Sequence, residues 1–281
     1  MWVRRFFDFF IFTSLFIASC AVLMVYQTAL LLNLQFPLAL YAFVFSGSVC
    51  SYNFHWYLTP PHLPASTTKL KWNLANRTLH FFLSIAGLIG AGITSLLLIE
   101  YWIWLVLTGF FTFLYSAPMI NHPWTLWLRR IAIGKTIFLA FAWTHVTTLL
   151  PLLIHSSNLE TQAVLFVINR FFFIYAICIV FDRRDVEHDR KEGIKSLITY
   201  LHPKGVDKLF WSSLLIVLFT SVLLYQWFTL IELIILFVPA LIMGSLYEHS
   251  KQNNSDYLYY FSLDGLMALS APILILAKFA R

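Results

Sequence analysis

Long apolar runs separated by short polar connections dominate this chain. Nine runs are long enough, or nearly long enough, to cross a bilayer whose hydrocarbon core is about 30 Å thick. They lie near Phe9–Leu31, Phe36–Tyr52, Leu79–Ile99, Trp102–Ala117, Ile131–Leu153, Thr161–Phe181, Leu209–Tyr225, Phe228–Tyr247 and Tyr257–Ala277. An α-helix satisfies its own backbone hydrogen bonds in lipid, so runs of this length are typical of transmembrane helices. The pattern predicts an all-α, polytopic membrane protein built as a bundle of nine transmembrane helices.

Composition supports the membrane prediction. Of the 281 residues, 60% are hydrophobic and only 11% are charged, whereas about a quarter are charged in soluble domains. No linker rich in Ser, Pro or Gly interrupts the chain, so we expect a single domain over residues 1–281. The net charge of +6 is typical of the loops of a membrane protein and does not indicate a nucleic-acid partner.

The basic residues indicate an orientation. Most of the 19 lysines and arginines fall on the same side of the predicted membrane as the N-terminus, and the four short connections on the opposite side carry none. By the positive-inside rule, the N-terminus is cytoplasmic, as is the polar loop after the sixth run. The short chain has no transit peptide, which favours the inner membrane of a bacterium.

The most highly charged stretch follows the sixth run and reads FDRRDVEHDRKEGIKSL over residues 181–197. Asp182, Asp185 and Asp189 stand at i, i+3 and i+7, so on a helix they lie within about 60° of one another. Carboxylate oxygens suit Mg²⁺ that bridges to a phosphate, and the surrounding arginines and lysines suit an anion. The alternative is a solvated loop whose charges form only local ion pairs.

Other polar and aromatic positions have simpler interpretations. Lys135 lies one turn into the fifth run, close enough to the cytoplasmic end to reach a phosphate. Arg170 lies deep in the sixth run and is interpreted as an internal structural partner of Asp264 or Glu232. Aromatic residues at the ends of the runs are interpreted as an interfacial belt; they include Tyr101, Trp102, Trp104, Tyr257, Tyr259 and Tyr260.

The charged stretch resembles the second aspartate-rich motif of the UbiA superfamily of intramembrane prenyltransferases. The matching residues are Asp182, Asp185, Asp189 and Arg190, followed by Gly193 and the run Lys195-Ser196-Leu197. Tyr115-Ser116-Ala117-Pro118 ends the fourth run, where that family carries a Tyr-Ser element, and Arg129, Arg130 and Lys135 follow it. Chain length and helix number also match, so the resemblance covers essentially the whole chain.

The chain departs from that family at the first aspartate-rich motif, which should follow the second run. Asn53 is present, but Tyr57 and Pro61 stand where the two carboxylates belong. In the family, the two motifs are paired Mg²⁺ sites that hold the diphosphate of an isoprenoid donor, so one metal site is impaired here. His55 is a further candidate to ligate a metal or donate to a phosphate, although a histidine at a helix end is also a common structural residue.

The resemblance implies the site residues. Asp182, Asp185 and Asp189 are expected to be catalytic and to bind Mg²⁺. The residues expected to bind diphosphate are Asn53, His55, Arg130, Lys135, Arg190, Lys191 and Lys195.

Two functions remain open at this point. The first is Mg²⁺-dependent transfer of an isoprenoid chain from a prenyl diphosphate to an aromatic or lipidic acceptor at the cytoplasmic face, with the allylic cation held in an aromatic-lined cavity. The second is a non-catalytic, UbiA-like protein that binds isoprenoids or other membrane lipids. Loss of the first motif favours the second function, whereas retention of costly carboxylates in the second motif favours the first.

Overall fold

A computed structural model describes residues 2–60, 67–116, 135–156, 158–191 and 196–279, and these form helices and connections without any strand. The helices are α1 (Trp2–Phe12), α2 (Leu15–Leu32), α3 (Leu38–Leu58), α4 (Thr68–Ala75), α5 (Arg77–Leu97), α6 (Trp102–Ser116), α7 (Lys135–Thr144), α8 (Leu150–His155), α9 (Thr161–Lys191), α10 (Leu197–Tyr200), α11 (Pro203–Leu223), α12 (Leu230–Ser250), α13 (Asp264–Ala268) and α14 (Ser270–Phe279). The all-α prediction is confirmed.

Helix α9 is the central element of the bundle. Every residue from Phe173 to Val180 is buried, because α9 packs on α7 along one side and on α11 along another. A helix that is apolar all round has to be enclosed by other helices. With 31 residues, α9 is longer than the roughly 20 residues that span a bilayer. Its polar end, from Asp182 onward, therefore continues as helix beyond the apolar run.

The first predicted run is not one helix. It is broken at Ser14, which adopts a left-handed backbone conformation with φ of 64°, and the helix preceding the break is α1. Trp2, Val3 and Phe6 on α1 are each more than 70% exposed, whereas Phe12 is buried. This amphipathic pattern is typical of a helix lying along a membrane surface. The predicted span Phe9–Leu31 is thus shortened to Leu15–Leu32.

Several helices are long and apolar enough to cross a bilayer. Among the described residues there are six such segments, namely Leu15–Leu32, Arg77–Leu97, Thr136–His155, Thr161–Glu187, Pro203–Gln226 and Leu230–Ser250. The segments Leu258–Ala268 and Ser270–Lys278 are bent by 42° and add a seventh if they form one span. A multi-pass membrane protein is therefore confirmed, whereas the total of nine spans stays a prediction.

Two π-helical turns interrupt the bundle. One, His145–Leu149, joins α7 to α8, and the other, Leu258–Leu263, leads into α13. Such turns are rare and commonly occur at functional sites. The second turn points Tyr259 and Tyr260 toward the polar end of α9, where both contact Phe181 with ring centroids 5.3 and 5.9 Å away.

The polar segments meet at one end of the bundle. Asp8 of α1 accepts a hydrogen bond from Tyr257 at 2.5 Å, and the backbone N–H of Lys69 on α4 donates to Asp256 at 2.7 Å. These contacts bring α1, α4 and residues 256–264 together beside the polar end of α9. The described segments among those predicted to share one side of the membrane thus lie together, and which side is cytoplasmic stays a prediction.

Small residues allow α3 and α5 to pack closely. A Cβ added to Gly87 of α5 would lie 2.5 Å from the backbone nitrogen of Cys50 and 2.7 Å from the carbonyl oxygen of Ser46 on α3. Close approach through small residues is a common way for helices to associate in lipid. Gly92, five residues further along α5, has no atom within 4 Å of an added Cβ.

These two glycines give a test of the α3–α5 contact. We expect Gly87→Ala to lower the stability by about 1–3 kcal/mol, because the added methyl group forces the two backbones apart. Gly92→Ala should leave stability unchanged or slightly raised, because alanine is the better helix former. Thermal unfolding of both variants in the same detergent would check this, and equal melting temperatures would contradict the packing described here.

Candidate functional site

Asp182 is the first carboxylate of the polar end of α9 and is only 5% exposed. Its Oδ2 accepts a hydrogen bond from the hydroxyl of Thr136, in the first turn of α7. Thr136 is itself 1% exposed. A carboxylate is costly to bury unless hydrogen bonds or a cation compensate it. The α7–α9 contact therefore holds one carboxylate of the motif at a fixed position inside the bundle.

Asp185, one turn further along α9, has a different environment. Its side chain is 38% exposed and forms an ion pair with Arg184, with Nε 2.8 Å from Oδ1. Arg184 also donates to the hydroxyl of Tyr260 at 3.0 Å and lies 4.3 Å from the ring centroid of Tyr259. Arg183 points to the other side of α9 and lies 3.7 Å from Asp207 of α11. Of the two adjacent arginines, only Arg184 is thus in the neighbourhood of the acidic motif.

The other predicted site residues in and around this segment differ in exposure, and several lie outside the described part of the structure. Asp189 is 2% exposed, whereas Arg190 is exposed and donates to the carbonyl oxygen of Thr199 at 3.3 Å. Lys135 and Lys191 are terminal residues of α7 and α9, but their side chains lie outside the described part of the structure. Arg130 and Lys195 also lie outside the described residues. The roles predicted for these cations stay predictions.

The Asn53 side chain is buried and hydrogen-bonded to other parts of the protein. It is fully buried, and its Nδ2 donates to the carbonyl oxygens of Thr13 and Val49 at 3.0 and 2.8 Å. Its Oδ1 lies 2.7 Å from Nδ1 of His80 on α5. Both amide hydrogens are therefore used, one within α3 and one to join α3 to the break between α1 and α2. The geometry gives Asn53 a structural role, and its predicted contact with diphosphate has no support from this arrangement.

His55 and Tyr57, which lie close to Asn53 on α3, both pack against aromatic side chains. The ring of His55 packs edge-on against Trp56, with centroids 5.9 Å apart. Tyr57, which replaces a family carboxylate, packs on Phe81 at 5.3 Å and beneath the guanidinium of Arg77 at 5.0 Å. The Tyr57 side chain is therefore part of the α3–α5 contact. Pro61 lies outside the described residues.

A buried lysine near the acidic motif was missed by the sequence analysis. Lys69 of α4 is 4% exposed, and its Nζ lies 3.6 Å from the ring centroid of Tyr260 and 5.1 Å from that of Trp56. Arg184 approaches the same Tyr260 ring at 5.1 Å. Burial lowers the pKa of Lys69 to about 7, against the opposing effect of the Asp264 and Asp256 carboxylates.

The local sequence around Lys69 gives no sign of this environment. In the sequence, Lys69 is one of several loop cations, and Tyr260 is one of several aromatic residues at the ends of the apolar runs. In the structure, the Tyr260 ring contacts Lys69 and Arg184, so its interpretation as a residue of the interfacial belt is wrong. The available signal was Asp264, a carboxylate within an apolar run, which requires a cation nearby. The sequence predicts Arg170 as the partner of Asp264 or Glu232, but among the described residues no ion pair joins Arg170 to either carboxylate. Glu232 instead accepts the backbone N–H of Thr229 at 2.8 Å in a capping box.

A largely apolar cavity of about 530 Å³ lies between α3, α5, α6 and α7. One wall is formed by Leu139 and Trp143 of α7 and by Val146 of the π-helical turn that follows. On α7, Leu139 and Trp143 lie on nearly the same face as Thr136. Tyr52 and Trp143 both line the cavity, and the Tyr52 hydroxyl accepts the indole N–H of Trp143 at 3.0 Å. The volume is within the 300–1,000 Å³ range of pockets for small molecules. Helix α7 thus contacts Asp182 at its first turn and lines an apolar cavity along its next turns.

The carboxylates of the acidic motif do not by themselves form a complete metal centre. Among the described residues, no three His, Cys, Asp or Glu side chains are grouped closely enough to hold a metal ion, and Asp185 is already paired with Arg184. Magnesium, however, is commonly held by one or two carboxylates together with substrate phosphates and water. Asp182 and Asp185 provide hard oxygen ligands of that kind, so the described residues fit one ion bound jointly with a phosphate.

Comparisons with known proteins give a match to one family model and a similarity of fold to one solved structure. The family model described as "UbiA prenyltransferase family" matches residues 73–262. Among curated proteins, none matches the chain. The fold is similar to that of a solved structure, the apo structure of a UbiA homolog from Aeropyrum pernix K1, with a TM-score of 0.64 and 16% sequence identity. The similarity covers 94% of this chain and 96% of that chain, and at this identity it establishes the fold alone.

The structural role of Asn53 predicts a loss of stability on truncation. Asn53→Ala removes the partner of the buried His80 Nδ1 and of the Thr13 carbonyl oxygen, which should cost about 1–3 kcal/mol. The exposed residue Asn254 supplies a control, since Asn254→Ala should change stability by less than about 0.5 kcal/mol. Thermal unfolding without ligand would measure both. If Asn53→Ala left the melting temperature unchanged but weakened diphosphate binding, Asn53 would instead be a residue of the ligand site.

The environment of Lys69 predicts a pH dependence. Because burial lowers its pKa from 10.5 to about 7, the unfolded chain binds more protons than the native chain between these values, and stability rises with pH. Each pH unit contributes up to about 1.4 kcal/mol. The melting temperature of the wild type should therefore rise relative to that of Lys69→Met between about pH 7 and about pH 9.5. A difference in melting temperature between the wild type and Lys69→Met that stays constant over this pH range would contradict the assignment.

Proposed function

Because the chain belongs to the UbiA prenyltransferase family, we propose that it transfers an isoprenoid chain from a prenyl diphosphate to a lipophilic acceptor within the membrane. The observation that supports this most directly is the position of Asp182. Its buried carboxylate contacts Thr136 at the end of α7, whose following turns line the apolar cavity. A polar anchor at the end of an apolar space matches a ligand with a charged head and a hydrocarbon chain.

Magnesium is part of the proposal, with Asp182 and Asp185 as the residues that would hold it and Asp189 nearby on the same helix. When bound, it neutralises charge on the diphosphate leaving group as a Lewis acid. The Tyr57 and Pro61 substitutions leave no carboxylates for the ion of the first motif, so we propose one bound ion. His55, Arg130, Lys135, Arg190, Lys191 and Lys195 remain proposed contributors of positive charge to the diphosphate.

The described residues contribute positioning, charge and exclusion of water. Thr136 orients the Asp182 carboxylate through its hydrogen bond. Arg184 is held between Asp185 and the Tyr260 hydroxyl, which places a fixed guanidinium beside the acidic motif. The rings of Tyr52 and Trp143 face the cavity, where they would stabilise an allylic cation by about 0.5–2 kcal/mol each. The apolar walls keep water from capturing that cation before the acceptor does.

We also propose that the reaction takes place at the cytoplasmic face of the membrane. The described charged segments lie at one end of the bundle, and the distribution of basic residues in the sequence favours the cytoplasm for that end by the positive-inside rule. The acceptor is lipophilic, either aromatic or lipidic, because the cavity beside the acidic motif is apolar. A bacterial inner membrane is the proposed location.

A non-catalytic role as an isoprenoid-binding or lipid-binding protein is the second candidate. The saturated hydrogen bonds of Asn53 and the packing of Tyr57 against Arg77 favour it, because neither residue is available to a ligand in this arrangement. Such a protein would retain the cavity but have no need of a leaving group. The two candidates therefore differ in whether the diphosphate is recognised.

Binding and turnover of geranylgeranyl diphosphate by the purified protein would test the proposal. With Mg²⁺ present, Asp182→Asn and Asp185→Asn should each weaken binding by about tenfold or more, since each removes a charged contact worth about 1.5–3 kcal/mol. Diphosphate release in the presence of a lipophilic acceptor should fall with them.

Glu187 supplies the matched control. It is an exposed carboxylate on the same helix, and Glu187→Gln should leave binding and release within about twofold of the wild type. Geranylgeraniol should bind more weakly than the diphosphate. Equal binding of the alcohol and the diphosphate, unaffected by metal and by both aspartate substitutions, would overturn the transferase proposal in favour of the lipid-binding candidate.

A further inference from the structure

Two buried apolar clusters fill the bundle, and polar side chains lie between them. The larger cluster includes Met24 of α2 and Phe173 of α9. The smaller cluster includes Leu31 of α2 and Phe166 of α9. On four helices, the turn between the two clusters carries polar residues that are at most 5% exposed. We call this set the polar layer: Gln27 and Thr28 of α2, Asn169 and Arg170 of α9, Thr220 and Ser221 of α11, and Ser270 of α14.

Hydrogen bonds satisfy most of the polar layer. The Nδ2 atom of Asn169 lies 3.0 and 2.8 Å from the hydroxyl oxygens of Thr220 and Ser221, so the amide joins α9 to α11. The Thr28 hydroxyl lies 3.0 Å from the carbonyl oxygen of Thr147 and donates to it. This contact places the π-helical turn at residues 145–149 beside α2, at the level of the polar layer.

Three buried side chains at this level keep a polar atom without a hydrogen-bond partner. The atoms are Nη2 of Arg170, Oε1 of Gln27 and Oγ1 of Thr148. The Arg170 guanidinium lies 5.1 Å from the ring centroid of Phe166, and no carboxylate in the described part of the chain forms an ion pair with it. A buried charge without a counter-ion is strongly destabilising. The polar layer therefore carries a positive charge that the described side chains do not balance.

From these contacts we propose that the polar layer binds a small inorganic anion, such as chloride, at the Arg170 guanidinium. The Thr148 hydroxyl is a second donor, and a 180° rotation of the Gln27 amide presents two further N–H donors in place of the oxygen. The layer contains no Asp or Glu, so its chemistry suits an anion and not a metal cation. Because Arg170 is only 3% exposed, the site suits a monoatomic ion better than a lipid headgroup.

The anion site is separate from the acidic motif. Asp182 follows Arg170 by 12 residues on α9, which corresponds to about 18 Å of helix. A bound anion would neutralise Arg170 and connect α9 to α2 and to the π-helical turn. Its expected effect is therefore on the stability of the bundle, and the inference does not depend on the proposed transferase activity.

Thermal unfolding at constant ionic strength tests the site. The wild type in detergent would be titrated with sodium chloride that replaces sodium gluconate. Because an ion that binds only the native state stabilises it, each tenfold rise in chloride above its Kd should raise the melting temperature by about 2–4 °C. Sodium bromide should have a similar effect. A melting temperature that does not change with either halide would overturn the proposal.

Substitutions of Arg170 test the position of the anion. Arg170→Met removes the charge and keeps a long side chain, so the melting temperature should no longer respond to chloride. Arg170→Lys retains the charge and should restore a response that begins at higher chloride concentration. Arg5→Met is the matched control, because Arg5 is an exposed arginine of α1, and the response should equal that of the wild type. An undiminished response in Arg170→Met would place the anion elsewhere and overturn the proposal.

A crystal of the wild type grown in bromide gives a readout that does not require the variants to fold. The proposal predicts an anomalous bromide peak in contact with the Arg170 guanidinium and the Thr148 hydroxyl. Water alone at Arg170, or a phosphate or carboxylate group of a lipid bound there, would overturn it.

Discussion

The structure depends on the burial of a charged helix end. Helix α9 carries a continuous apolar segment through the middle of the bundle and ends in the acidic motif. Because the apolar segment is fixed by α7 and α11, Asp182 is held inside the protein, where it requires a donor. Thr136 of α7 supplies that donor. The same helix then lines the cavity, so one packing contact sets the distance between the polar anchor and the apolar space.

In the region where the family carries its first aspartate-rich motif, the side chains of this protein hold neighbouring helices together. Asn53 joins the break before α2 to α3 and α5, and Tyr57 packs on α5. Lys69, in the short helix that follows, is buried against Tyr260 beside Arg184. Two cationic side chains, Lys69 and Arg184, therefore contact one tyrosine ring beside the acidic motif, and the segment after α3 contributes the buried lysine.

Sequence analysis predicted the membrane class, the all-helical fold, the helical acidic motif and the family, because each depends on strong local patterns. Asp182, Asp185 and Asp189 needed only helical periodicity to be placed on one face. Lys69 and Thr136 were missed because their roles depend on contacts with residues 46 or more positions away. The break at Ser14 was missed because apolar residues continue through it. Tyr260 was misinterpreted because an aromatic residue at a helix end has the same sequence pattern in a lipid belt and beside a buried cation.

An experimental structure of the protein with geranylgeranyl thiodiphosphate and Mg²⁺ bound in a lipid nanodisc tests the central claim most directly. The account predicts the diphosphate within hydrogen-bonding or metal-bridged reach of Asp182 and Asp185, with the chain continuing into the apolar cavity that Tyr52 and Trp143 line. A ligand bound away from α9, with the cavity beside α7 filled only by bilayer lipid, would contradict it.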